Sequence, residues 1–96
     1  MRFTWDPDKS DANLAARGFD FEFATLIFGG PTLEREDTRE EYGERRMIAV
    51  GLAQGIAFTG VYTDRPGGPH PERRIISARR SNRRERQAYE DALKLR

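Results

Sequence analysis

Cysteine is missing from this 96-residue sequence, histidine occurs once, at position 70, and only Lys9 and Lys94 among the seventeen basic residues are lysines. Without cysteine there is no disulfide, thiolate nucleophile or thiolate metal site, and one imidazole cannot build a histidine cage. The expectation is therefore no metal and no cofactor. No apolar run is long enough to cross a bilayer, and the start Met1-Arg2-Phe3-Thr4-Trp5 lacks the apolar centre of an export signal. A cytoplasmic protein with no membrane contact is the corresponding expectation. The length suits a single domain, 1–96, and excludes multi-domain enzyme architectures.

What the sequence does have is arginine: fifteen of the seventeen basic residues. Guanidinium is planar and forked, and it recognises carboxylate or phosphate with two parallel hydrogen bonds. The formal net charge of +1 conceals a strong asymmetry, about −5 over residues 1–64 and +6 over 65–96. The stretch Arg73 to Arg86, RRIISARRSNRRER, sets seven arginines against one carboxylate, Glu85. Such density attracts a polyanion through counterion release. The competing explanation is internal neutralisation by Glu34, Glu36, Asp37, Glu40, Glu41 and Glu44.

The chain shows no repeat and no interdomain linker. Arg2–Trp5 reads as a short strand, and Asp6-Pro7 as the cap and first turn of a helix reaching Arg17, with Gly18 as its stop. Asp20 is placed to cap a second helix running to Phe28, whose Leu26-Ile27-Phe28 end is expected in the core, and Gly29-Gly30-Pro31 halts it. Thr32–Asp37 reads as a strand and Thr38–Glu44 as a polar connection. A hairpin follows, with Arg46, Ile48, Val50 and Leu52 before a Gln54-Gly55 turn and Ile56, Phe58 and Tyr62 after it. Asp64–Glu72 holds three of the five prolines and reads as a loop, leading to a strand at Arg73–Ala78. Asn82 and Glu85 have capping-box spacing for a last helix through Leu95, with Ala88, Tyr89, Ala92, Leu93 and Leu95 on one stripe. This order implies an α+β domain, N-terminal helices and a C-terminal helix packed on one face of an antiparallel sheet.

Several blocks in this order resemble the BrnT family of type II toxins: Trp5-Asp6-Pro7 with Lys9 and Asn13, Gly18 before Phe21, Gly43-Glu44-Arg45, Val61-Tyr62-Thr63, and Arg74-Ile75-Ile76-Ser77-Ala78-Arg79-Arg80 with Glu85 and Tyr89. The last block is the most specific. At the end of the first helix the family commonly reads Lys-His-Gly, and this chain reads Ala16-Arg17-Gly18. The resemblance implies a RelE-like fold and a ribonuclease that cuts RNA by 2′-hydroxyl attack and so inhibits translation. It also implies a BrnA-type antitoxin partner, a ribbon-helix-helix DNA-binding protein through which alone operator DNA would be met.

Metal-free RNA cleavage needs a base for the 2′-hydroxyl, cations around the phosphorane-like transition state, and an acid for the leaving oxygen. Arginine stays protonated, so it can supply only the cations. Arg74, Arg79 and Arg80, on or just after the last strand, are the leading catalytic candidates, with strand alternation placing Arg74 and Arg80 on one face and Arg73 and Arg79 on the other. Glu85 and Tyr89 complete that candidate set, Glu85 chiefly as an anchor orienting Arg79 or Arg80, and Tyr89 as a proton donor or a core residue with its hydroxyl at the rim. Lys9, Asn13 and Arg17 recur every four residues as a candidate RNA-binding ridge, joined by Arg83; for Asn13 the alternative is a bond to nearby backbone. His70, between Pro69 and Pro71, falls on an exposed loop and makes a poor acid–base candidate. The alternative to an enzyme is a non-catalytic basic module that binds nucleic acid or an acidic protein.

Overall fold

A computed structural model describes residues 1–95 as five strands, three α-helices and one 3₁₀ segment. The chain runs β1 (Arg2–Trp5), α1 (Pro7–Arg17), α2 (Phe21–Ala24), the 3₁₀ segment Thr25–Gly29, β2 (Leu33–Glu36), β3 (Met47–Ala53), β4 (Ile56–Arg65), β5 (Glu72–Arg80) and α3 (Arg83–Lys94). Local chemistry accounts for the boundaries. The Asp6 carboxylate accepts from the Asp8 N–H at 2.9 Å, Pro7 occupies the first turn of α1, and Gly18 ends it at φ 85°. The Asp20 carboxylate accepts from Phe23 N–H at 2.8 Å and starts α2. After one turn the helix tightens into the 3₁₀ segment, which turns Leu26 outward while Ile27 is only 1% exposed. Leu26 is thus a surface residue, contrary to its expected place in the core.

The sheet order is β1-β5-β4-β3-β2. The last four strands form an antiparallel meander whose β3–β4 turn has positive φ at both Gln54 and Gly55, the pair of angles that matches strand twist in a tight hairpin. β1 lies parallel to β5, so the sheet is mixed where alternation alone suggested a purely antiparallel one.

The helices also divide between the faces of the sheet instead of sharing one. Ile27 packs against Gly51 and Gly60 on the face that carries Ala49, Phe58, Tyr62 and Ala78, with α1, α2 and the 3₁₀ segment above it. On the opposite face α3 lies over Ile48 and Val50, and its buried Tyr89 donates from its hydroxyl to the Pro31 carbonyl at 2.7 Å. The α3 stripe is correspondingly narrow: Tyr89 is buried, Ala92 and Leu93 are half-buried, and Ala88 and Leu95 are exposed.

One irregularity decides where the arginines point. From Phe58↔Arg80 to Val61↔Ser77 the β4–β5 register is constant, but Tyr62 pairs with Ile75, leaving Ile76 as an extra residue in β5. This bulge reverses the inside–outside parity of everything before it. Arg73 and Arg80 therefore share the face of α1 and α2, and Arg74 and Arg79 share the face of α3. The face assignment expected from plain alternation is overturned by that single inserted residue.

Candidate functional site

The arginine-rich segment is split between the two faces of the sheet. On the α3 face, Arg79 grips Glu85 with both terminal nitrogens at 2.7 Å, and Glu85 Oε1 also accepts from the Asn82 N–H at 2.8 Å while Asn82 Oδ1 accepts from the Glu85 N–H. Hydrogen bonds from Arg79, and then from the Asn82 N–H, outweigh partial burial and hold the Glu85 carboxyl down to about 2. A carboxylate so stabilised is a poor proton acceptor near neutrality. Its geometry makes it the anchor of the β5–α3 junction. Arg74 is half-buried on the same face; Arg79 lies five positions further along the strand, roughly 16 Å away between backbones. Arg74 and Arg79 therefore do not meet at one phosphate-sized point.

On the other face, Arg73 is spoken for. Its guanidinium makes two hydrogen bonds to Asp64, at 2.8 and 3.0 Å, and lies 4.0 Å from the Tyr62 ring centroid and 4.8 Å from that of Phe28. The Tyr62 hydroxyl donates to Glu34, and burial pushes that phenol's pKa up. This assembly at the start of β5 is a stacked structural ion pair.

Arg80 differs from both. It is exposed and forms no ion pair among the described residues. It lines a groove of about 420 Å³ with Leu14, Arg17, Gly18, Phe19, Asp20, Phe23, Ile56 and Phe58. Arg17, sixty-one residues before the carbonyl it holds, donates to Ala78 O at 2.7 Å and, more weakly, to Asn13 Oδ1 at 3.3 Å. Two guanidinium groups thus reach one groove from the end of α1 and the end of β5. The floor is apolar: Phe19 and Phe58 are buried, and their ring centroids lie 4.8 Å apart, with Phe23 5.5 Å from Phe58. Asp20 is the one carboxylate in the lining, with Oδ1 engaged by Phe23 N–H. A larger hollow of about 680 Å³ is enclosed by residues 36–44, but its five carboxylates would repel a polyanion.

The remaining candidates fall as follows. Asn13 is buried, and its amide donates to Phe19 O at 2.9 Å, while Ser10 Oγ accepts from Phe21 N–H at the same distance. The inner side of α1 is therefore polar and stitches residues 19–21 in place, which puts Asn13 beneath the groove wall. Lys9 is exposed two turns before Arg17, roughly 12 Å along the helix axis. Arg83 is exposed at the first position of α3. Tyr89 is buried with its hydroxyl committed to Pro31 O. His70 is exposed beyond the opposite end of β5, and the strand alone spans roughly 26 Å to the groove. Sequence reasoning missed Asp20 and the phenylalanine floor, because helix-cap and core signals explained those residues completely.

Three of the acids that might have quenched the basic segment are paired with other arginines. Asp37 pairs with Arg39, Glu36 with Arg45, and Glu44 with Arg46 and Arg65. Arg39, at 2.8 Å on both nitrogens, holds the Asp37 carboxyl well below the usual carboxylate range. None of the six acids from Glu34 to Glu44 forms an ion pair with Arg73–Arg86 among the described residues.

No protein of curated function matches this chain. A family model described as "Ribonuclease toxin, BrnT, of type II toxin-antitoxin system" matches residues 5–85, which include α1, the whole sheet apart from the first residues of β1, the groove and the Arg79–Glu85 anchor. With most of its length covered by that match, the chain belongs to the BrnT family of ribonuclease toxins.

Proposed function

We propose that this chain is the endoribonuclease toxin of its type II pair, a RelE-like domain that acts in the cytoplasm, cleaving RNA without a metal ion and so inhibiting translation. The observation that carries the reading is the Arg17–Arg80 groove: two exposed guanidinium groups converge where no intramolecular ion pair claims Arg80. In the proposed reaction the ribose 2′-oxygen forms a bond to the adjacent phosphorus and the P–O5′ bond breaks. The products are a 2′,3′-cyclic phosphate and a 5′-hydroxyl. Arg80 and Arg17 stabilise the charge that accumulates on the non-bridging oxygens. Asp20, the carboxylate lining the same groove, takes the 2′-hydroxyl proton, and a solvent water supplies the proton that the leaving 5′-oxygen needs to become a hydroxyl. Arg79 and Glu85 act as positioning residues, since their two-point contact fixes the strand end from which Arg80 projects. Arg74, Lys9 and Arg83 are assigned to the path of the RNA backbone outside the groove, and Asn13 and Tyr89 to holding the scaffold.

The partner that fits is a BrnA-type ribbon-helix-helix antitoxin with an acidic or amphipathic segment over the groove, which blocks phosphate entry and offsets the arginine charge. Operator DNA would then be reached only through the antitoxin.

The test is incubation of the purified protein with single-stranded RNA in EDTA, for wild type, Arg80→Gln and Asp20→Asn. Asparagine caps helices as well as aspartate does, so Asp20→Asn keeps the α2 cap and removes only the base. Both variants are expected to lose activity by about a hundredfold or more at unchanged melting temperature. Intact RNA with the wild type, or full activity in both variants, rejects the assignment. The second reading, a binding module without catalysis, is favoured by the lack of any imidazole in the groove, where Arg17 stands at the end of α1. It predicts salt-sensitive RNA binding and no cleavage products.

A further inference from the structure

The groove holds more than two cations. Its floor is a cluster of three phenylalanines, and none of their contacts is a parallel stack: Phe19–Phe58 and Phe23–Phe58 meet at 64° and 76°, and Phe19–Phe23 at 59°. Phe23 is only half-buried, so part of its ring borders the groove. The walls are apolar as well. Leu14, on α1, is 49% exposed, and Ile56, at the tip of the β3–β4 hairpin, is 44% exposed. Two partly exposed aliphatic side chains beside an aromatic floor and two arginines make a surface that a flat, partly apolar group bearing negative charge can cover.

We infer that the groove is a nucleobase-stacking subsite for single-stranded RNA. One unpaired base rests on Phe23 between Leu14 and Ile56, and its own phosphate lies between Arg17 and Arg80. Pairing a ring platform with guanidinium groups is how proteins hold single strands, because every base offers a π face while arginine takes the backbone. A volume of about 420 Å³ lies within the roughly 300–1,000 Å³ range of small-ligand sites. Duplex RNA is excluded on physical grounds, since its bases are stacked on one another and its deep major groove admits no side-chain platform.

This inference rests on RNA being the substrate, and the experiment separates the two claims by using RNA that cannot be cut. Binding of short single-stranded 2′-O-methyl RNA is followed by fluorescence anisotropy, alongside the same strand with abasic residues and the matching duplex. The wild type is expected to prefer the single strand over both by about fivefold to tenfold. Phe23→Leu preserves apolar volume but removes the π face, so it should erase the difference between normal and abasic strands. Arg80→Gln should weaken both strands alike. Melting temperatures report whether Phe23→Leu is folded, and the abasic comparison on the wild type stands without any variant. Equal binding of normal, abasic and duplex RNA by the wild type overturns the inference; a groove that receives only an antitoxin segment would give that result. Cleavage of ordinary RNA together with base-independent binding would sink the stacking subsite and leave the ribonuclease reading standing. Base-dependent binding without cleavage does the reverse.

Discussion

Glu85 accepts three short hydrogen bonds, two from Arg79 and one from the Asn82 N–H, and that arrangement rather than sequence proximity explains its depressed pKa. Because the folded-state pKa lies below the unfolded one, its contribution to stability is complete above the ordinary carboxylate range and is lost as pH falls toward about 2. Allowing for solvent screening of the half-exposed Arg79, the contribution is on the order of 1–2 kcal/mol. Urea melts of Glu85→Gln should show about that loss at neutral pH and a flatter stability profile between roughly pH 4.5 and 2. Identical profiles for variant and wild type would contradict the anchor. Asn13 poses a simpler case. Replacing it with alanine leaves Phe19 O without its buried donor and should cost about 1–3 kcal/mol, read as a lower denaturant midpoint.

At the scale of the elements, close packing between the 3₁₀ segment and β3 is what lets a one-turn helix seal the core. A Cβ at Gly51 would sit 2.9 Å from Ile27 Cβ and 3.0 Å from the Ile27 carbonyl oxygen, and a backbone atom cannot yield as a side-chain end can. Gly51→Ala is therefore expected to destabilise by about 1–3 kcal/mol, whereas Gly29→Ala, with open space around the added methyl, should shift the melting temperature very little. Equal melting temperatures for the two variants would show that the segment moves freely over the sheet. The Ile76 bulge belongs to this scale too. Alternation along RRIISARR is a correct rule that meets an irregular strand: parity alone puts Arg74 and Arg80 on one face, and the unpaired Ile76 puts them on opposite faces.

For the whole molecule, the distinction that matters is between arginines bound internally and arginines left to a ligand. Affinity for single-stranded RNA should fall with salt with a slope of about 0.7 per phosphate neutralised. Arg17→Gln and Arg80→Gln should each reduce that slope by about this amount, and Arg73→Gln, whose charge is matched by Asp64, should leave it unchanged while lowering stability. A slope insensitive to all three would place the RNA elsewhere.

Much of the local structure was readable before any tertiary contact was known. Asp6-Pro7, Gly18, Asp20, Gln54-Gly55 and the Asn82–Glu85 box are signals confined to a few neighbouring residues, and each forms the cap, stop or turn its chemistry dictates. The basic character of the last third and its family motif are likewise properties of residue order alone. Tertiary structure decided the rest, because pairing, packing and burial depend on residues far apart in the chain. It set β1 parallel to β5, put α3 on the opposite face from α1, inverted the arginine parity through Ile76, and gave Arg79 and Arg73 internal partners. It also brought Arg17 to Arg80 above three phenylalanines, a meeting between distant segments that no local rule encodes.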